Sequence, residues 1–154
     1  MPFRVRPALP GDLDLLVPLR AALWPTGSAA EHRAELARIL DGRPRSTLPL
    51  VAIVAEAGAT LAGFVEVGLR SHADGCDPGG PVGYVEGWYV APSQRRRGIG
   101  RALLRAAEAW CRAQGATEIA SDTWIDNLPS QRAHEALGFE ARNRCVNYRK
   151  HLGT

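Results

Sequence analysis

The sequence predicts an α/β protein built from both strands and helices. Short apolar, β-branched runs alternate with longer segments whose apolar residues recur every three or four positions. The order is a strand, two helices, a hairpin, and then strand, loop, helix, strand, helix and a final extended segment. The 154 residues contain no repeats, linkers or low-complexity stretches, so residues 1–154 are expected to form a single domain with a sizeable core.

The first half of the chain is predicted to contain three strands and two helices. The expected elements are a strand at 2–7, a helix from Gly11 or Asp12 to Trp24-Pro25, a helix at about 29–41, and strands at 50–55 and 61–69. Leucines at helical spacing define the first helix, and Gly42 ends the second. The short turn at 57–60 joins the two later strands, so they are expected to form a hairpin.

The second half is predicted to alternate strands and helices. The expected elements are a strand at 82–90, a helix at 98–114, a strand at 117–125, a helix at 128–137 and an extended segment at 139–151. Gly115 and Gly138 follow the two helices, and glycine commonly ends a helix because it adopts the left-handed conformation without strain. This order places a basic loop between a strand and the helix that begins near Gly98.

That basic loop, Arg95 to Gly100, is the most informative segment of the chain. A helix start presents unpaired N–H groups and the positive end of the helix dipole, both of which attract phosphate. Gly98 and Gly100 let a large anion approach the backbone, and the arginines at 95–97 add positive charge. The loop lacks the Gly-Lys-Ser/Thr ending of a P-loop and the third glycine of a dinucleotide-binding loop. It therefore predicts another kind of diphosphate site, with a solvated basic turn as the alternative.

Composition narrows the function classes. The net charge is +3 and the arginines are scattered outside 95–97, which argues against a nucleic-acid partner. No apolar run approaches the roughly 20 residues of a membrane span, and the N-terminal residues do not resemble a signal peptide. Cys76, Cys111 and Cys145 are odd in number and lack metal-ligand spacing, which indicates a reducing cytoplasm and no bound metal. Cys111 is expected in the core and Cys76 on the surface, where its role stays open.

The loop and the end of the chain resemble the GCN5-related N-acetyltransferase (GNAT) family. The family's coenzyme A loop, Gln/Arg-x-x-Gly-x-Gly/Ala, matches Arg95 to Gly100 in the expected place. Its last motif has an asparagine, a tyrosine seven positions on and a Leu-Gly-Phe ending; here Asn127 and 137–139 fit, and His134 takes the tyrosine position. The resemblance spans the whole order of elements. It implies the GNAT fold, with a mixed sheet of about 6–7 strands and about four helices, acetyl-CoA as co-substrate and a homodimer.

The same resemblance assigns the cofactor contacts. The pyrophosphate is expected on the amides of 96–101, and the thioester carbonyl on strand backbone around Tyr89 or Val90. Asn127, Ser130 and His134 share one helix face, which the resemblance turns toward the pantetheine arm; the alternative is a face in solvent. The full set of implied cofactor-binding residues is Trp88, Tyr89, Val90, Arg95, Arg96, Arg97, Gly98, Ile99, Gly100, Arg101, Asn127 and Ser130.

Several short strings are similar to one subgroup, the aminoglycoside 6'-N-acetyltransferases. They lie at 22–25, 85–90, 120–127 and 130–139. In that subgroup a tryptophan after the first helix and two strand carboxylates line the aminoglycoside site, which implies that Trp24, Glu86 and Asp122 bind substrate here. This sequence differs from the subgroup at two places, and these differences concern which drugs would be substrates rather than the reaction itself. Residues 71–73 replace tyrosines of the subgroup, and Asn143 replaces an acid.

The residues themselves give Glu86 and Asp122 a reason to be functional. Both carboxylates interrupt apolar strand patterns, and burying an acid is costly unless it meets a cation or hydrogen-bond donors. One interpretation is that each pairs with an internal arginine or a backbone N–H. The other is that neighbouring strands present both acids to a cleft that binds a cationic amine. Trp24 likewise either stacks on a sugar or fills the core.

The expected reaction is direct acetyl transfer from acetyl-CoA to an amine in a ternary complex. Glu86 or Asp122 would take the amine's proton through water. His134, with a histidine's reference pKa of about 6.5, would donate to the departing thiolate. Two alternatives stay open. The same fold could acetylate a polyamine, an amino acid or a protein amine, or the chain could be a non-catalytic acyl-CoA sensor, which would need the loop but not the acids.

Overall fold

Five strands of the described residues, 2–154, form one sheet in the computed structural model, and their order in space is their order in the chain. The strands are β1 Arg4–Pro7, β2 Leu50–Ala57, β3 Thr60–Arg70, β4 Val82–Val90 and β5 Ile119–Ser121. The first four pair antiparallel, and β4 pairs parallel with β5. The sheet is therefore mixed, as the sequence predicts.

Four α-helices accompany the sheet in the described part of the chain. They are α1 Leu13–Leu23, α2 Ala29–Leu40, α3 Ile99–Ala113 and α4 Leu128–Ala136, with 3₁₀ turns at Pro10–Asp12 and Pro92–Gln94. Helix α2 begins with a capping box, in which Ser28 Oγ accepts from the Glu31 amide at 3.1 Å. The predicted fold class and helix count are confirmed. The expected 6–7 strands are too many, because residues 139–154 pair with no described strand and carry mostly exposed side chains.

The chain divides into two compact units, one ending at Asp122 and the other spanning Thr123–Thr154. The first contains the sheet and helices α1 to α3. The second contains α4 and the irregular C-terminal segment. The single domain expected over 1–154 stays a prediction.

Strand β3 lies at the centre of the first unit's core, and helices cover both of its faces. Phe64 packs with Leu16 of α1 and Leu36 of α2. A Cβ on the neighbouring Gly63 would lie 3.3 Å from the side chain of Leu103 of α3. Adjacent strand residues face opposite sides of a sheet, so α1 and α2 lie on one face and α3 on the other.

Helix α3 turns one stripe toward the sheet at i, i+4 spacing. Ile99, Leu103, Ala107 and Cys111 are buried, whereas Trp110 is only half-buried. A Cβ on Gly83 of β4 would lie 2.4 Å from Cys111 Sγ, so glycine lets helix and strand approach. Burial raises the pKa of the Cys111 thiol to about 11, so the thiol is a packing group, as expected.

A β-bulge interrupts the pairing of β3 with β4 at Glu86. Val67 is opposite Val85 and Glu66 is opposite Gly87, so Glu86 is an extra residue without a partner across the ladder. The bulge also changes which face each residue meets. Gly83 faces Cys111 of α3, whereas Gly87, four positions on, faces Trp24 at the end of α1. An uninterrupted strand would turn both glycines to the same face.

Strand β5 is shorter than predicted and ends beside this bulge. Its three residues pair with Gly83, Tyr84 and Val85 only. Beyond Val85, strand β4 keeps β3 on one side and has no described strand on the other. The fold therefore leaves an open edge of β4 from Glu86 to Val90.

Two features are absent from the described residues. None of their helices has the length and apolar character needed to cross a membrane. Among residues 2–154, no three His, Cys, Asp or Glu side chains come together as a metal-binding group.

Candidate active site

The open edge of β4 presents backbone N–H and C=O groups on the side where β5 no longer pairs with it. Before the bulge, the Gly83 amide donates toward β5, to Glu118 O at 2.9 Å. After it, the Ala91 amide donates to Ala62 O at 2.8 Å, on the β3 side. Alternation along an antiparallel strand then turns the amides of Trp88 and Val90 away from β3. Of the two residues predicted to contact the thioester, Val90 rather than Tyr89 turns its N–H to the open edge.

The basic loop after β4 has the backbone geometry of an anion cradle. Arg96 (φ 61°) and Gly98 (φ 78°) both have left-handed backbone, and Gly98 is the N-cap of α3. A Cβ at Gly98 would have no atom within 4 Å, so the space over this helix terminus is open. The amides of Ile99 and Gly100 have no carbonyl one turn earlier within the helix. Because the Ile99 side chain is buried, only its amide can serve a cofactor.

Trp88 joins the open edge of β4 to the first turn of α3. Its indole Nε1 donates to Gly100 O at 3.1 Å. A Cβ on Gly100 would lie 3.2 Å from the Trp88 ring. The glycine at position 100 therefore accommodates the indole, a packing reason that the sequence pattern did not reveal. Trp88 acts here by holding the helix terminus against the strand.

The arginines of the loop have different surroundings. The Arg95 guanidinium lies 5.6 Å from the Tyr89 ring centroid, and its Nε donates to Val90 O at 2.9 Å. Arg97 donates to the side chain of Gln94. Arg96 is exposed, as is Arg101 in the first turn of α3. The loop and the first turn of α3 thus carry four cations around one helix N-terminus, which suits a phosphate group.

Glu86 is already paired with an arginine. Arg70 at the end of β3 donates through Nε and Nη2 to the two Glu86 oxygens at 2.8 and 2.7 Å. The side chains are 44% and 29% exposed, so water reaches both. Glu86 therefore pairs with an arginine, but with an exposed one rather than the internal one of the first interpretation. Exposure leaves room for a second cation at the same carboxylate.

Asp122 lies one residue past β5 and is exposed, so the expectation of a buried strand acid is wrong for it. It accepts a hydrogen bond from the Tyr84 hydroxyl. Burial and the Asp122 contact raise the pKa of Tyr84, so its phenol stays protonated and donates. The Arg70 guanidinium lies 3.5 Å above the Tyr84 ring centroid. Tyr84 thereby connects the Arg70–Glu86 pair to Asp122.

Trp24 reaches the same part of β4 from the end of α1. A Cβ on Gly87 would lie 2.4 Å from Cη2 of the Trp24 ring, so the indole edge rests on this glycine. Gly87 directly follows Glu86. Trp24 is half-buried, which leaves part of the side chain accessible. The structure therefore brings all three predicted substrate-binding residues to one region of the first unit.

The second unit contains the remaining predicted residues. Asn127 caps α4, because its Oδ1 accepts from the Ser130 amide at 3.2 Å. His134 Nδ1 donates to Ser130 O at 2.7 Å, and the ring lies edge-on to Phe139 with centroids 5.2 Å apart. With Nδ1 donating, the ring can give a proton through Nε2 only as the imidazolium. The predicted polar stripe of α4 is present within this unit.

Two residues beside Glu86 and Asp122 were not predicted from the sequence as functional candidates. Arg70 and Tyr84 belong to no sequence motif, and their contacts depend on the β3–β4 register and on the end of β5.

A cavity of about 350 Å³ elsewhere in the first unit is lined by Asp77, Glu118 and neighbouring loop residues. None of the predicted site residues lines it, so it plays no part in the site.

Comparison with known proteins agrees with this geometry. Residues 15–139 match the acetyltransferase (GNAT) family. The aminoglycoside N(6')-acetyltransferase type 1 of Klebsiella aerogenes is 43% identical over 150 residues, which cover 96% of each chain. That of Serratia marcescens is 46% identical over 145 residues, covering 92% of this chain and 94% of that one. This chain belongs to the acetyltransferase (GNAT) family. The family predicted from the sequence is confirmed.

Solved structures agree with the GNAT fold. AAC(6')-Iy in complex with the bisubstrate analogue CoA-S-monomethyl-acetylneamine matches with a TM-score of 0.88 and 34% identity, over 98% of this chain and 99% of that one. AAC(6')-Iy in complex with CoA matches with a TM-score of 0.87 and 35% identity, over 97% and 95% of the two chains. The GNAT fold predicted from the resemblance is confirmed.

The loop of this acetyltransferase can be tested at Gly98. Replacing Gly98 by Glu puts a negative charge into the open space at the helix N-terminus, where it repels a diphosphate. We expect Gly98→Glu to abolish acetyl-CoA binding in calorimetry, and Gly98→Gln, of equal size and backbone strain, to retain measurable affinity. A folded Gly98→Glu variant with wild-type affinity would remove the loop assignment.

Proposed function

We propose that this acetyltransferase transfers the acetyl group of acetyl-CoA to the 6'-amino group of aminoglycoside antibiotics. The support comes from relatives named for that activity, which match over more than nine-tenths of the chain. The observation that carries the proposal is the cluster on β4. Trp24, Glu86 and Asp122 combine an aromatic surface with two carboxylates against one guanidinium, Arg70. An aminoglycoside offers sugar rings and several ammonium groups, which match such a site.

The proposed acetyl-CoA site uses the open edge of β4 and the N-terminus of α3. The amides of 96–101 and the surrounding arginines would hold the pyrophosphate, and the open space at Gly98 fits that group. The Val90 amide would donate to the thioester carbonyl and stabilise the oxyanion that develops there. Acetyl-CoA supplies an activated thioester, so the protein needs only to orient the amine and manage protons.

The proposed transfer is direct attack by the amine nitrogen. The ammonium first loses a proton through water to Glu86 or Asp122, each of which retains lone pairs beyond its bond to Arg70 or Tyr84. The neutral amine then forms the new C–N bond as the C–S bond breaks, and the nitrogen of the product loses its second proton to water to give the amide. The departing thiolate takes a proton, for which we propose His134 in its imidazolium form. Asn127 and Ser130 are proposed to line the pantetheine arm, as the family resemblance implies.

We also propose a homodimer and a cytoplasmic location. The segment 123–154 carries exposed apolar side chains, including Trp124 at 77%, Tyr148 at 92% and Leu152 at 91% exposure, which a second copy of the chain would cover. All three cysteines are free, which suits a reducing compartment where acetyl-CoA is made. The active form of the protein would then be the homodimer.

The substrate class is tested by thiol release from acetyl-CoA with a panel of amines. We expect turnover of kanamycin, tobramycin and the gentamicin components with a 6'-amine, because these carry the reacting nitrogen. Analogues with a 6'-hydroxyl should bind without reacting. Good turnover of spermidine or lysine derivatives, with every 6'-amino aminoglycoside left untouched, would remove the drug-modification proposal and leave the fold and family intact.

The role of charge is tested by three matched variants. Glu86→Gln and Asp122→Asn should each raise the KM for tobramycin about tenfold or more, because each removes a partner of a substrate ammonium. Arg70→Gln is the control that removes the other member of the ion pair. It leaves the Glu86 carboxylate free to bind the substrate, so the KM of this variant for tobramycin should not rise. If Arg70→Gln and Glu86→Gln raise KM equally, the pair is a structural salt bridge rather than a substrate site.

His134 is tested by replacing its ring with an apolar or a hydroxylated one. His134→Phe should lower kcat by about 10–100-fold with unchanged cofactor affinity, because the thiolate loses its proton donor. His134→Tyr should keep more activity than His134→Phe, since a phenol can still donate a proton. Equal kcat for Phe and wild type would make His134 a bystander.

A further inference from the structure

Three of the four buried polar residues in the described chain form a single array next to Trp24. Buried polar side chains are Asp12, Arg20, His32 and Glu66. Arg20 of α1 donates through Nε to Glu66 of β3 at 2.6 Å and through Nη1 to His32 Nδ1 of α2 at 2.9 Å. The array thus connects three elements. Burial raises the pKa of Glu66, and the hydrogen bond from Arg20 opposes this shift.

The contacts determine the tautomer of His32. Arginine only donates, so His32 Nδ1 is the acceptor of the Arg20 bond. Its Nε2 therefore carries the proton and donates to Trp24 O at 2.9 Å. His32 links the buried cation to the backbone of Trp24, and neutral histidine makes both bonds at once.

Trp24 has two further contacts, one with Arg20 of this array and one with Gly87. The Arg20 guanidinium carbon lies 4.7 Å from the Trp24 ring centroid, a cation–π contact. The ring edge rests on Gly87, which lies directly opposite Glu66 in the β3–β4 ladder. Glu66 therefore holds Arg20 beside the ring, and Gly87 provides the space that the ring occupies.

Stability alone is a weak reason for such an array. A buried ion pair is often no more stabilising than well-packed apolar side chains of the same volume, whereas it does impose one geometry on its partners. Two partners of Arg20 keep part of their surface accessible. One is Glu35, whose carboxylate lies 3.6 Å from Nη2, and the other is Trp24, which lies beside the strand position of Glu86. A rigid aromatic surface at this place lowers the entropy lost when a sugar stacks on it.

We infer that Arg20, His32 and Glu66 are positioning residues that hold the Trp24 indole against Gly87 for stacking on the sugar of the amine substrate. The inference rests on the proposed function for the identity of the substrate. It assigns Gly87 a second role as a specificity determinant, because any side chain there displaces the indole from its place beside Glu86.

The test replaces His32, which can be changed without leaving a charge alone. His32→Leu removes both hydrogen bonds, whereas His32→Gln can still donate to Trp24 O and accept from Arg20. We expect His32→Leu to raise the KM for tobramycin about tenfold, and His32→Gln to stay within about threefold of wild type. The acetyl-CoA affinity and kcat should change little in either variant. Gly87→Ala displaces the ring from the opposite side and should raise KM as well, with the array intact.

A readout without turnover separates this inference from the proposed function. The indole N–H resonance of Trp24, assigned by its loss in Trp24→Phe, should move or broaden in His32→Leu and Gly87→Ala and stay near its wild-type position in His32→Gln. An unchanged resonance together with unchanged KM in folded His32→Leu overturns the inference. If the resonance responds as expected but wild type acetylates no aminoglycoside, the proposed function fails and the substrate role of the array falls with it.

Discussion

The arrangement of the site depends on the β-bulge at Glu86 and the end of β5 beside it. The extra residue reverses the alternation of β4, so Gly87 faces Trp24 while Trp88 reaches the first turn of α3. Because β5 pairs only as far as Val85, the strand beyond it keeps one side open. The two acids and the Trp24 ring therefore lie near the bulge of β4, and the backbone amides proposed for acetyl-CoA lie near the basic loop that follows this strand.

Paired charges surround this strand, and they differ in their exposure. Arg20 and Glu66 are buried, so their geometry is rigid. Arg70 and Glu86 are open to water, where an ion pair contributes little free energy and can exchange partners. The buried pair is therefore suited to holding a side chain in place, and the exposed pair to receiving a substrate ammonium. Tyr84, which lies under Arg70 and donates to Asp122, joins the exposed pair to the second acid.

Beyond the fold class and the family, the sequence predicts local features best. The loop from Arg95 to Gly100 could be recognised because its charges, glycines and helix start are contiguous in the chain. The Arg70–Glu86 pair and the role of Gly100 could not, since they depend on strand register and on the position of the Trp88 indole. Glu66 interrupts an apolar strand pattern just as Glu86 does, and the same reasoning would have found it. The segment 139–151 was expected to be extended, but local pattern cannot show whether a strand has a partner.

The central claim is that β4 beyond its bulge and the first turn of α3 form the acetyl-CoA site. Amide hydrogen exchange, followed residue by residue with and without CoA, tests it most directly. We expect CoA to slow exchange at Val90, Ile99 and Gly100, because these amides gain acceptors, and to leave the β1–β2 pair unchanged. Unaltered exchange at those three amides under saturating CoA, with protection appearing elsewhere in the chain, would contradict it.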